Sequence, residues 1–233
     1  MKKTKRKNLR NRGFEFLSIF IAVVSAFALN NWNDNRKDAR SENKILTEIY
    51  NGLEKDLDDI RLNVRGHEQG IAACDYFRKA FTGNEIKRDS IMIHYFNLTR
   101  DYISIQNVSG YETLKSKGLE LIKNDSLRLK IISLYEYDYN TLRKFEEEYF
   151  EMQFQENYFK EINEQIAPNV IFDSIGNIIK IELPLKIEEK SKNKLILYLW
   201  KIQTNRVFLL HYYAEIEKRI EELRENIVSE IKK

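Results

Sequence analysis

The side chains with the most evident capacity for chemistry are three histidines, His67, His94 and His211, and a single cysteine, Cys74. His67 and Cys74 lie two helical turns apart on one face. A metal pair on a helix takes ligands three or four residues apart, and neither has such a neighbour. The expected roles are a packed core histidine and a buried thiol. His94 stands in an apolar run, where packing is expected. His211 has Glu215 one turn later, a pair able to hold a metal, but no third or fourth ligand follows at a zinc or di-iron spacing. No metal ligand is assigned, and one cysteine excludes an intramolecular disulfide and any CxxC site.

Between Tyr135 and Phe159 aromatic residues are dense, and stacking on nucleic-acid bases is the chemistry they could do. That chemistry needs interleaved cations. The neighbours here are instead Glu136, Asp138, Glu146, Glu147, Glu148, Glu151 and Glu156, which repel phosphate. A wide packing face is the expected role. No P-loop, dinucleotide-binding glycine pattern, Gly-x-Ser-x-Gly or His-Glu-x-x-His motif occurs, so no catalytic residue and no cofactor are assigned and the chain is read as a non-enzyme.

The formal net charge of +3 conceals a split. Residues 1–12 carry seven basic side chains and no acid; without them, 32 basic residues face 36 acidic ones. The positive charge is a terminal tail, and the body is mildly acidic, which excludes nucleic acid as its partner.

The elements that must position these residues are helices. Two prolines and eight glycines in 233 residues are few. Leu46, Ile49, Leu53, Leu57, Ile60, Val64, His67, Ile71, Cys74, Phe77 and Phe81 recur at steps of three or four, one stripe of a long helix. Gly52, Gly66 and Gly70 weaken that helix, with a bend expected near 66–70, and Thr82-Gly83-Asn84 ends it. Asp89-Ser90 caps a second helix through about Tyr102. Tyr111–Lys117 reads as a short helix closed by Gly118, and Asn124-Asp125-Ser126 caps the next, which runs from Leu127 to about Ile162. The β-branched runs flanking Asp173–Asn177 predict a small hairpin within 169–184, inside an insertion spanning 165–190. From Leu195 to Ile231 a heptad-like seam is interrupted only near Arg206.

At the front of the chain, Phe16–Asn33 is uncharged. As a helix, Phe14–Trp32 spans about 28 Å, close to a hydrocarbon core of about 30 Å. Phe16, Leu17, Ile19, Phe20, Ile21, Val23, Val24, Phe27 and Leu29 would face lipid, with Trp32 at the interface. Glu15 sits where the span begins and can reach water. The cations before the span outnumber those after it, so the tail is expected in the cytoplasm and the body outside. Ser18, Ala22 and Ala26 form a small-residue row able to bring two membrane helices together. The rival reading is a signal peptide cut after Ala28, at Ala26-Phe27-Ala28.

The stretch from Ala28 to Leu57, with Asn30-Asn31-Trp32-Asn33 just after the apolar span, resembles the start of an uncharacterised bacterial family of single-pass membrane proteins. A second stretch, Gly110–Asn140, is similar to that family's central motif. The resemblance covers about a quarter of the chain and implies topology, without an activity. The Ala-Phe-Ala departs from the family pattern, where larger apolar residues are usual.

The sequence thus predicts an all-α protein in which an N-terminal transmembrane helix continues into an antiparallel bundle of about four long helices. Residues 1–13 form a basic cytoplasmic tail, 14–33 the transmembrane helix and 34–233 an extracytoplasmic helical domain. The expected function is binding, scaffolding or sensing at the bacterial inner membrane. Lipid is one partner, and a membrane protein or a second copy another. Two alternatives stand beside it: a periplasmic soluble binding protein released by cleavage, and a membrane-anchored hydrolase that would need His94, His211 and acidic residues to converge.

Overall fold

The computed structural model describes residues 2–232, with side chains from Phe14 onward; those of the basic tail 1–13 lie outside the described residues. The chain is all-α, apart from one two-stranded hairpin.

Helix α1, Lys2–Phe81, is a single element that carries both the apolar span and the first striped helix. From Phe14 to Arg40 its residues are exposed on every side, and burial begins where the stripe begins, at Ile45 and Leu46. The helix stops at Gly83, whose φ of +75° is cheap only without a side chain; Asn84 N donates to Lys79 O at 3.0 Å to satisfy a terminal carbonyl.

Helix α7, Glu189–Ile231, packs along α1. The two are antiparallel: Arg61 meets Glu217 at 2.6 Å and Glu221 at 3.0 Å, while Arg224 reaches Glu54 at 3.6 Å. Between them lies the core, with Leu53, Leu57 and Ile60 on α1 facing a seam that includes Leu209, Ile216 and Ile220 on α7. Each such side chain taken out of water contributes roughly 1.5–3 kcal/mol.

The third long element is α4, Asp125–Ile132, continued without a break through a π-helical turn at Ser133–Asp138, α5, Tyr139–Arg143, and a second π-helical turn at Lys144–Glu148. Asn124 caps it as expected, its side-chain oxygen accepting from Leu127 N at 3.2 Å. The rod ends sooner than the sequence predicts. Tyr149 turns extended, one 3-10 turn follows at Phe150–Met152, and the chain resumes longer helix over Gln155–Phe159 and α6, Lys160–Ile166. Met152 and Phe154, at the break, are both buried in the core.

Two short helices complete the body: α2, Ile91–Thr99, and α3, Ser109–Lys117, closed at Gly118 with φ of +99°. Helix α2 also ends early, before Tyr102, because Arg100 is extended. Strands β1, Val170–Phe172, and β2, Ile178–Ile181, pair antiparallel, with Val170 opposite Ile181. Asp173 shapes their turn by accepting from the amides of Ile175 and Asn177 at 2.9 and 2.8 Å.

Candidate functional site

The chain from Arg100 to Val108 is in neither helix nor sheet and is pressed against α1. A backbone outside helix and sheet must find partners for its amides, since a buried orphan costs roughly 1–3 kcal/mol. Acidic side chains supply them. Asp56 accepts from Asn107 N at 2.6 Å, Asp59 from Ile105 N at 2.9 Å, and Glu146 from Ser104 N at 3.2 Å. Three amides of the segment are thus paired by two turns of α1 and by the π-helical turn of the rod.

The glycines of α1 make room for this segment and for what lies beside it. A Cβ on Gly52 would press on Asn107, one on Gly66 would fall within the ring of Tyr102, and one on Gly70 would lie 2.6 Å from Arg206 Cζ. Helix α1 runs unbroken through 66–70. These glycines serve close approach.

Arg206 occupies the position where the α7 seam is interrupted, and it is fully buried, with 0% exposure. Its Nη2 donates to Leu98 O at 3.2 Å and Arg100 O at 2.9 Å. A cation at the C-terminal end of α2, which closes at Thr99, complements the helix dipole. Nη1 contacts His67 Nδ1 at 3.2 Å, and the guanidinium lies 5.1 Å from the ring centre of Phe154. Burial and the adjacent Arg206 charge push the His67 imidazole down to about 3, so it is neutral.

Next to this pair stands Glu146, delivered inward by its π-helical turn, an irregularity common at functional positions. It accepts from the Tyr213 hydroxyl and from Ser104 N and Oγ. Burial raises its carboxyl to about 7. Asp56, which also accepts from Tyr139 OH at 2.7 Å, is raised by burial to about 6. A cavity of about 50 Å3 opens among these groups, lined by His67, Asp101, Tyr102, Glu146, Phe154 and Arg206.

Of the residues singled out in the sequence, His67 and Cys74 are both buried, and burial lifts the Cys74 thiol to about 12, an unreactive state. His94 stacks on Tyr76 with ring centres 4.2 Å apart, and the exposed His211 places Nδ1 2.9 Å from its own helix's Val207 O. The structure does not bring His94 and His211 together. Among the described residues no cluster of three or more metal-ligating side chains occurs. Tyr135, Tyr139, Phe154, Tyr158 and Phe159 are core, while Tyr137 and Phe150 face solvent.

The residues that sequence reading missed are Arg206, Glu146, Asp56, Asp59 and Tyr102. Only Arg206 left a trace there, as a charge in an otherwise apolar seam.

The named residues of the span are all exposed: Phe16 at 71%, Phe27 at 68% and Trp32 at 61%, with Leu17, Ile19, Phe20, Ile21, Val23, Val24 and Leu29 between 48% and 66%. Ala22 and Ala26 are exposed too, and Ser18 Oγ donates to Glu15 O at 2.9 Å. By length and composition this part of α1 can cross a membrane. The chain matches no protein-family model, no curated protein and no solved structure.

Proposed function

We propose that this is a single-pass membrane protein, its N-terminus in the cytoplasm and its helical body outside, at the bacterial inner membrane, acting by binding, scaffolding or sensing. The observation that carries the reading is the bare apolar stretch of α1, with none of its candidate span buried by the rest of the chain. So large an apolar surface left in water would be costly at about 25 cal/mol per Å2, and lipid removes the cost.

Between Trp32 and Glu42 the helix is a solvated stalk of about 15 Å. Lys37 pairs with Asp34 at 3.8 Å, Asn30 donates to Asp34 at 3.1 Å, and Arg36 lies 5.7 Å from the centre of the Trp32 ring. The body begins where Glu42 accepts from Lys123 N at 2.9 Å. A continuous helix transmits rotation or tilt from body to membrane without a hinge, which suits a scaffold or sensor working with a membrane partner.

A reporter enzyme fused to the C-terminus tests the topology. Activity confined to the extracytoplasmic side is expected; activity only in the cytoplasm overturns the reading. Intact mass of the mature protein tests the rival reading, since a signal peptide cut after Ala28 would remove residues 1–28.

A further inference from the structure

Asp56 and Glu146 hold the segment Arg100–Val108 in the same way. Each turns one carboxyl oxygen to a segment amide and the other to a tyrosine hydroxyl. Asp56 Oδ1 accepts from Asn107 N at 2.6 Å and its Oδ2 from Tyr139 OH at 2.7 Å. Glu146 Oε2 accepts from Ser104 N at 3.2 Å and its Oε1 from Tyr213 OH. A tyrosine hydroxyl accepts as well as donates. A proton on the tyrosine-facing oxygen is therefore hydrogen-bonded in its turn, and it leaves the acceptor of the amide in place.

Little else holds the segment down. Ser104 is its one buried residue, Tyr102 is half-buried in the notch at Gly66, and Ile103, Ile105 and Val108 are exposed, Ile105 at 77%. A stretch with few buried apolar contacts opens at low cost, so its polar bonds govern the opening. Among the described residues neither carboxyl forms an ion pair. Glu146 faces Asp59 and His67 from α1, Asp101 and Ser104 from the segment, and Tyr213 and Arg206 from α7. Arg206 directs three of its hydrogens elsewhere, to His67, Leu98 O and Arg100 O. Asp56 faces Asp59 on its own helix, Asn107 of the segment, Tyr139 and Tyr135 of the rod and, stacked on Tyr135, Tyr111 of α3. A buried carboxyl beside other acids and paired with no cation favours its protonated form.

We infer that the segment from Arg100 to Val108 is a pH-operated strap, fastened to α1 and the rod in mild acid and released as pH rises to neutrality and above. On release both carboxyls reach water and ionise there as ordinary acids. Burial holds Glu146 up at about 7 and Asp56 at about 6 in the fastened state, against 4.5 and 3.8 in water. The fastened state therefore binds more protons, and raising pH through that window favours release. Release uncovers the face of α1 between Gly52 and Gly66, on the helix that continues into the apolar span. The inference deepens the sensing reading, on which it rests for the compartment whose pH is read. A failed reporter experiment leaves the exchange profile below unchanged, so the two fail separately.

The test follows amide hydrogen exchange of the full chain in lipid nanodiscs by NMR from about pH 5 to 8, each rate being divided by the intrinsic rate at that pH. Protection of Ser104 N and Asn107 N is expected to fall at least about tenfold across the range, dropping below that of the α7 core amides of Leu209 and Tyr213, while the circular dichroism stays helical. Glu146→Gln and Asp56→Asn replace each carboxyl by an amide that cannot titrate and still offers the segment one oxygen. The double variant is expected to keep the protection and lose its pH dependence. The inference is overturned if protection of the two amides in the unaltered chain is independent of pH, or if it is lost only in step with the α7 core, which would mean global unfolding. A folded double variant that retains the pH dependence overturns it as well. The first two outcomes are read on the unaltered chain, so a variant that fails to fold leaves the test intact.

Discussion

The guanidinium of Arg206 rests on the bare backbone of Gly70: a side-chain carbon built there would come within 2.6 Å of Arg206 Cζ and 2.7 Å of its Nε. In an exposed helix a glycine-to-alanine change stabilises by up to about 1 kcal/mol. At Gly70 the sign should reverse. Gly70→Ala is expected to lower stability by roughly 1–3 kcal/mol through overpacking, whereas Gln69→Ala, one residue away and exposed, should be nearly neutral. Urea unfolding of the two variants measures the contrast, and a stabilised Gly70→Ala chain would refute the close approach.

The segment from Arg100 to Val108, outside any helix or strand, predicts an unusual pattern of hydrogen exchange. The amides of Ser104, Ile105 and Asn107 belong to no helix or strand, yet each is held by a carboxylate. They should exchange slowly, like core amides. Asp56→Ala should expose Asn107 N–H selectively and cost about 2–4 kcal/mol, since the Tyr139 hydroxyl loses its acceptor as well. Rapid exchange at Asn107 in the unaltered protein would contradict this.

Acid and base should act on the buried groups in opposite directions. Glu146 holds its proton up to about 7, against an ordinary 4.5, so the native chain binds that proton more tightly than the unfolded one. Its contribution to stability therefore falls as pH rises from about 4.5 to 7. Asp56, raised to about 6, adds in the same direction. His67, pushed down to about 3 from 6.5, is protonated first in the unfolded chain, so its contribution falls as pH drops below about 6.5. Glu146→Gln should flatten the decline on the basic side and His67→Phe the decline on the acid side, each by up to about 1.4 kcal/mol per pH unit. Denaturant midpoints recorded across pH for the three proteins provide the check; identical profiles would show that neither group is buried as described.

Two leucines of α1, five residues apart, should respond very differently to truncation. Leu57 is 2% exposed and Leu62 is 57% exposed. Leu57→Ala is expected to cost about 2–5 kcal/mol, and Leu62→Ala less than about 0.5 kcal/mol. Equal losses in thermal unfolding would mean that α1 presents a different face to α7.

Much of the helical frame was legible because burial on a helix imposes its own period. The stripe from Leu46 to Phe81 and the seam from Leu195 to Ile231 mark the two faces that meet, and Thr82-Gly83-Asn84, Asn124 and Gly118 mark the ends. The early stops at Thr99 and Glu148 were not legible. Helix α2 stops where Arg100 turns extended, and Arg206, more than one hundred residues later, takes the carbonyls of Leu98 and Arg100 there. The rod stops where Tyr149 turns extended and the chain carries Phe154 under that same guanidinium.

The sequence by itself determined the class of fold and the bare apolar stretch, since both follow from side chains at fixed helical spacing and from their relation to water. It marked Arg206 only as a gap in a pattern, and it marked Gly52, Gly66 and Gly70 as weaknesses. Only the tertiary structure decided that the gap and Gly70 are two sides of one contact, and that Gly52 and Gly66 make room for Asn107 and Tyr102. It also decided that Asp56, Asp59 and Glu146 face inward to hold a strandless segment. Their roles depend on partners brought together from three distant helices, and no local period along one helix records what the next helix will place against it.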